Sequence, residues 1–158
     1  MTTICAVPYD TSASAFYFNT VDEYHEKYAK RLPVEEYELQ FIDGYNPKLF
    51  SEAGICQSNL ENWFQSLEGI EDDSDDGISL RYLLSMGYSL IDALSKFKEV
   101  MVFRGKPSDY AYELFEDSRI PEHLANYIAY DAIARDMEIN GEIAEFSHET
   151  IIINAQEF

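Results

Sequence analysis

A chain of 158 residues with 30 acidic and 11 basic side chains carries a formal net charge of −19, yet 46% of it is hydrophobic and 15% aromatic. Such aromatic content excludes an acidic disordered tail, which lacks the apolar surface to offset chain entropy, and the absence of a Lys/Arg cluster excludes direct binding of nucleic acid or an anionic membrane. No apolar run is long enough to span a bilayer, and the opening MTTICAVPYD has neither the basic region nor the apolar stretch of a signal peptide.

A cytoplasmic setting is expected, with Cys5 and Cys56 reduced and buried as small hydrophobes. Residues 1–57 read as a mixed α/β lobe. TICAV and AFYFN are short β-prone runs separated by the turn formers Pro8, Asp10 and Ser12. Thr20 is placed to cap a helix over 21–32, with Glu23 as its capping-box partner. Val21, Tyr24 and Tyr28 share one face of it, and Lys27, Lys30 and Arg31 lie toward its C-terminal end, where cations are favoured. Residues 38–43 alternate with period two and stop at Gly44, predicting a strand and a turn. After Asn46-Pro47 the pattern becomes helical.

Residues 58–104 read as a helical middle lobe. Asn59 is expected to cap a helix whose stripe is Leu60, Trp63, Phe64 and Leu67. The acidic run Glu71-Asp72-Asp73-Ser74-Asp75-Asp76 follows, and then a helix that Gly87 ends. Ser89 caps a third helix, with Asp92 in the capping-box position. Residues 100–103 are β-prone.

Residues 105–158 read as an acidic α+β lobe. Ser108 is expected to cap a helix with Tyr110, Ala111, Leu114 and Phe115 buried. Pro121 opens a short helix at the favoured first position, and the helical period continues through Ile133 and Met137 to Asn140-Gly141. GEIAEFS and ETIIINA alternate like a hairpin, whose exposed edge only Glu142, Glu145 and Glu149 guard. The whole predicts an α+β fold, an elongated chain of small lobes: mixed at the N-terminus, helical in the middle, and helices plus a short antiparallel sheet at the C-terminus.

Catalytic motifs are absent. His25, His123 and His148 are scattered and have no neighbour at ligand spacing, and neither a phosphate-binding loop nor a nucleophile elbow occurs. Asp72, Ser74, Asp76 and Gly77 fit the first half of a calcium-binding loop, but Leu83 stands where the bidentate Glu belongs, so a capped helix start is preferred. Carboxylate pairs such as Glu35–Glu36 and Glu113–Glu116–Asp117 lie opposite apolar stripes and are expected to be solvated, which disfavours acid/base catalysis.

The distribution of acids is the informative pattern. The three segments carry nets of −5, −5 and −9, and Asp109, Glu113, Glu116 and Asp117 recur on one helical face. B-DNA carries one charge per about 1.7 Å of axis, so nineteen charges match at most about 32 Å of duplex. An anionic surface of this kind attracts proteins built to bind nucleic acid.

Three stretches carry a resemblance: Asp109-Tyr110-Ala111-Tyr112-Glu113-Leu114-Phe115-Glu116-Asp117, Ile120-Pro121-Glu122-His123-Leu124, and above all residues 127–143, YIAYDAIARDMEINGEI, close to the pattern YxDYExxARDLExxGD. Ala129 stands where that pattern usually has an acid, while Asp131, Asp136, Glu138 and Glu142 keep theirs. Residues 87–94 resemble a glycine followed by DLDEAL, with Ser89 and Ile91 replacing acids. On these residues the chain resembles the ArdA antirestriction proteins of plasmids, conjugative transposons and phages, well over the last 75 residues and loosely over 38–67.

The resemblance implies an elongated homodimer of three-domain subunits that mimics bent B-DNA, occupies the DNA groove of Type I restriction–modification enzymes and performs no catalysis. It implies no cofactor, no metal, no nucleic acid and no membrane partner. The carboxylates expected to stand in for phosphates are Asp72, Asp73, Asp75, Asp76, Asp92, Asp109, Glu113, Glu116, Asp117, Glu122, Asp131, Asp136, Glu138 and Glu142. The alternative is an acidic DNA mimic that inhibits a different DNA-binding or defence protein, with an acidic enzyme a distant third.

Overall fold

The computed structural model describes residues 1–31 and 36–158, which fall into two units, Met1–Ser85 and Met86–Phe158. Leu32 and Glu35 lie outside the described residues. Each unit is α+β and carries one three-stranded antiparallel sheet.

In the first unit, β1 (Thr3–Pro8) lies between β2 (Phe16–Phe18) and β3 (Tyr37–Asp43). Alternation places Ile4, Ala6, Phe16, Phe18, Tyr37 and Leu39 inside. Helix α1 (Val21–Ala29) covers that face through Tyr24, whose ring lies 5.0 Å from Phe18 and 5.8 Å from Phe16. The predicted cap is present, with Thr20 Oγ1 accepting from the Glu23 N–H at 3.2 Å. The reciprocal bond goes to Asn19, whose N–H donates to Glu23 Oε2 at 2.8 Å.

Helix α2 (Pro47–Glu52) starts with Pro47 in its first turn. A short α3 (Leu60–Asn62) then widens into a π turn over Trp63–Leu67, closed by the Glu68 N–H donating to Trp63 O at 2.8 Å. Leu60, Trp63 and Leu67 are buried as the stripe requires, and Trp63 packs edge-on against Phe50 at 4.9 Å. Asn59 does not cap this helix. Its Oδ1 accepts from the Cys56 N–H and its amide donates to Gly54 O, because the turn before the helix offers those groups first. Cys5 is buried, but Cys56 is exposed in that turn, contrary to expectation.

Helix α4 (Asp75–Ser85) buries Ile78, Leu80, Tyr82 and Leu83. It begins earlier than a hydrophobic start suggests, because Ser74 Oγ accepts from the Gly77 N–H at 3.0 Å while donating to Glu71 O at 2.7 Å. The half-fitting calcium loop is therefore this helix start. Gly87, at φ +92°, follows the helix in the left-handed region.

In the second unit, α5 (Leu90–Lys96) has the predicted Ser89 cap. Strand β4 (Val102–Arg104) pairs with β6 (Thr150–Ile152), which pairs with β5 (Ala144–Ser147). Of the hairpin GEIAEFS/ETIIINA, expected to have an exposed edge, the ETIIINA side is covered by β4, while β5 on the GEIAEFS side remains an outer edge, as does β4. Between β5 and β6, Glu149 adopts φ 55°, and its carbonyl accepts from the Gly105 N–H at 2.8 Å.

Helix α6 (Pro107–Glu116) starts before the expected Ser108 cap. Pro107 supplies the first turn, and Asp109 Oδ2 accepts from the Lys106 N–H at 2.9 Å. Pro121 precedes rather than begins α7 (Glu122–Ala125), and the chain breaks before α8 (Tyr130–Ile139), so the period expected to run on is interrupted. The cover is thin. Ala111 is fully buried, Tyr110 and Phe115 are half-buried, and Leu114, expected inside, is 49% exposed.

Gly77 supplies a test of the close approach at the start of α4. A Cβ there would lie 2.1 Å from Glu71 O. Ala in a helix interior normally gains about 1 kcal/mol over Gly, but a backbone overlap of this size costs about 1–3 kcal/mol or more. Gly77→Ala is therefore expected to lower the urea midpoint, whereas Gly→Ala at an uncrowded helical site would raise it.

Candidate functional site

Both units are acidic, with 16 acids against 5 bases in Met1–Ser85 and 14 against 6 in Met86–Phe158. What differs is how the acids are held.

In the second unit α6 and α8 pack against each other, each contributing one buried alanine, Ala111 and Ala134. The Tyr130 ring lies 5.2 Å from Tyr112 and 6.2 Å from Phe115. Around this contact, Asp109, Glu113, Glu116 and Asp117 from α6 and Asp131, Asp136 and Glu138 from α8 are all exposed, as is Glu122 on α7. Glu142 is half-buried just after α8 and receives a 3.4 Å bond from the Asn140 amide. Among the described residues, no Lys or Arg lies within ion-pair distance of these acids.

Helix energetics oppose this placement. Glu116 and Asp117 lie at the C-terminal end of α6, and Asp136 and Glu138 in the last turn of α8, with no base in either last turn. Each acid there works against the helix dipole by about 0.3–1 kcal/mol. The pairs Asp109/Glu113 and Glu113/Asp117 add like-charge repulsion of roughly 0.2–0.5 kcal/mol each. Local stability explains Asp109, which caps α6, but not Glu113, Glu116, Asp117, Asp136 and Glu138, whose outward field is the property left to explain.

Elsewhere the acids have structural attachments. Asp92 closes the α5 cap, accepting from Ser89 Oγ at 2.6 Å. Glu23 and Glu26 pair with Lys27 and Lys30 along α1. The Lys27 ammonium, and then the Asn19 N–H, hold the Glu23 carboxyl below the usual glutamate range. Glu52 forms a two-pronged pair with Arg81 at 2.8 and 2.9 Å, which pushes the guanidinium pKa up. Asp73 is exposed and lies 3.7 Å from Lys48. Asp75 and Asp76 occupy the first turn of α4, where the dipole favours them.

Asp72 departs from the rest. It is 6% exposed, and its two oxygens accept from the N–H groups of Lys48 and Leu49 at 2.9 and 2.8 Å. It caps α2 from a distance of more than twenty residues. A carboxylate so held faces the interior and cannot present itself to a partner. Glu145 and Glu149, read from the sequence only as guards of a hairpin edge, are as exposed as the helix acids and enlarge the surface. Period-two alternation marks Glu145 as outward-facing.

The ArdA antirestriction protein profile matches residues 9–151. The chain belongs to the ArdA antirestriction family. The match starts well before the segments that carry the resemblance, so it takes in β2, α1 and β3 of the first unit as well. No significant match is found among curated proteins.

Asp72 and Asp73 separate a structural acid from a surface one. Asp72→Ala is expected to cost about 2 kcal/mol, by uncapping α2 and leaving two inner N–H groups unmet. Asp73→Ala is expected to change stability by less than about 0.5 kcal/mol. Urea unfolding of the two variants measures the difference.

Proposed function

We propose that this antirestriction protein inhibits a Type I restriction–modification enzyme by offering its carboxylates, in place of DNA phosphates, to the enzyme's DNA-binding groove. The acids of α6, α7 and α8 carry this reading: they are exposed and lack basic partners among the described residues, and Glu116, Asp117, Asp136 and Glu138 sit where helix energetics disfavours them. The mechanism is occupancy. A groove lined with Lys and Arg loses its own counterions on meeting a dense anionic face, whether that face is phosphate or carboxylate. The reaction class is competitive exclusion, with no bond made or broken by this chain.

The phosphate-mimicking set comprises Asp109, Glu113, Glu116, Asp117, Glu122, Asp131, Asp136 and Glu138, joined by Asp73, Asp75, Asp76, Asp92 and Glu142. Asp72 is left out, because its oxygens are committed inside. The same reading has the chain acting in the cytoplasm as a homodimer. Tyr112, Leu114, Leu124, Tyr127 and Ile139 support the dimer, being 47–85% exposed in an otherwise charged unit.

Changing Asp109, Glu113, Glu116 and Asp117 together to Asn or Gln keeps their shape, including the acceptor at the Lys106 N–H, and removes four charges. Circular dichroism is expected to show a native fold with unchanged or raised stability, since repulsion is relieved. Inhibition of a purified Type I enzyme is expected to fall by about tenfold or more. Each single change is expected to alter inhibition by less than about fivefold, because one exposed charge contact is worth about 0.2–1 kcal/mol. Parent-level inhibition by the quadruple variant sinks the assignment.

Salt supplies an independent check. Affinity for the enzyme is expected to fall by roughly tenfold or more between about 50 and 300 mM salt, because the contact is electrostatic and screened. A flat salt response points to an apolar interface instead.

A further inference from the structure

We propose that the outer edge of β3 is a second binding site, a groove that takes an extended, basic polypeptide segment as an added strand. It goes beyond the DNA-mimic reading, since it rests on the backbone groups of a strand edge rather than on the acid array.

The alternation of the ladder fixes which groups are free to bind. The Tyr9 N–H donates to Glu36 O, and β1 and β3 pair as Val7↔Glu38 and Cys5↔Gln40. In an antiparallel ladder only alternate residues exchange bonds with the neighbour. Glu36, Glu38 and Gln40 therefore bond inward to β1, and Tyr37, Leu39 and Phe41 turn their N–H and C=O groups to the outer edge. The Tyr37 N–H is met by Gln57 Oε1 at 2.8 Å. Beside the remaining stretch runs a cleft of about 520 Å³, floored by Phe50 and Ile55 and reaching Cys56.

Among the described residues, no strand pairs with this edge. β3 is seven residues long, and edge strands of that length are commonly blocked by Lys, Pro or a covering segment. Among the described residues, the cleft holds Glu36 and Glu38 and no Lys or Arg. Those carboxylates select the occupant. A second copy would bring Glu36 and Glu38 against themselves, whereas a strand with Lys or Arg at alternate positions places cations beside them and its other side chains over Phe50 and Ile55. Strand addition of this kind draws affinity from main-chain bonds and specificity from alternate side chains.

The test uses the full-length protein and a fluorescent seven-residue peptide alternating lysine and valine, matched to β3 in length. The control is the same peptide N-methylated at alternate backbone nitrogens, with identical charge. The unmodified peptide is expected to bind about tenfold more tightly by anisotropy, since charge is equal and only strand bonding differs. It should also slow hydrogen exchange at the Leu39 and Phe41 amides. A bulky maleimide on the exposed Cys56 is expected to abolish that preference. Restriction inhibition by the same labelled protein is expected to be unchanged, which separates this groove from the acid array. Equal binding of the two peptides, protection elsewhere, or indifference to the Cys56 label overturns the proposal. So does self-association that the label abolishes, because the edge would then pair with a second copy.

Discussion

Like-charge repulsion is the constraint around which this chain is built. Nineteen net charges must be held on two small units, and the cost depends on where they stand. Two charges 4 Å apart repel by about 1 kcal/mol in water but several times more in a less polar setting, and beyond about 8 Å salt screens them. Nearly all the described acids accordingly stand at the surface, where the repulsion is weakest. The opposing term is aromatic burial. Phe16, Phe18, Tyr24, Tyr37, Phe50 and Trp63 are all at most 5% exposed, and burial of such a side chain contributes about 1.5–3 kcal/mol.

The two units meet this constraint differently. The first ties its acids down: Glu23 and Glu26 to lysines, Glu52 to Arg81, Asp72 to the start of α2. Asn46 completes that tie, its amide donating to Leu67 O and Ile70 O, each at 2.9 Å. The start of α2, the π turn and the acidic run are thus one stitched structure. Among the described residues, the second unit leaves its α6–α8 acids without basic partners over a thin core, in which α6 and α8 each bury a single alanine. Its sheet and caps supply order, while its acids supply field.

Local rules made much of this legible. Thr20 with Glu23 and Ser89 with Asp92 declared their caps, and the alternation in 38–43 declared β3, because each signal is contained within a few residues. The outward face of α6 was equally plain from spacing. What escaped depends on distant partners. Asp72 looks like its neighbours in an acidic run, and only the N–H groups of Lys48 and Leu49 distinguish it. The pairing of Phe103 with Ile151 joins strands that no local pattern connects. The shifted start of α6 is a nearer miss, since Pro107 competes with Ser108 for the first turn and a fixed φ prevails.

Under the proposed reading, the outward display of the α6–α8 acids has an evolutionary consequence. A surface that works by summed charge has no keystone residue. Loss of one carboxylate can be made good by gain of another along the same face, so the sequence is free to drift while the potential persists. The target has no matching freedom. Any change that repels this surface also removes a cation from the groove that must hold DNA, and resistance to the inhibitor comes with a poorer grip on the enzyme's own substrate.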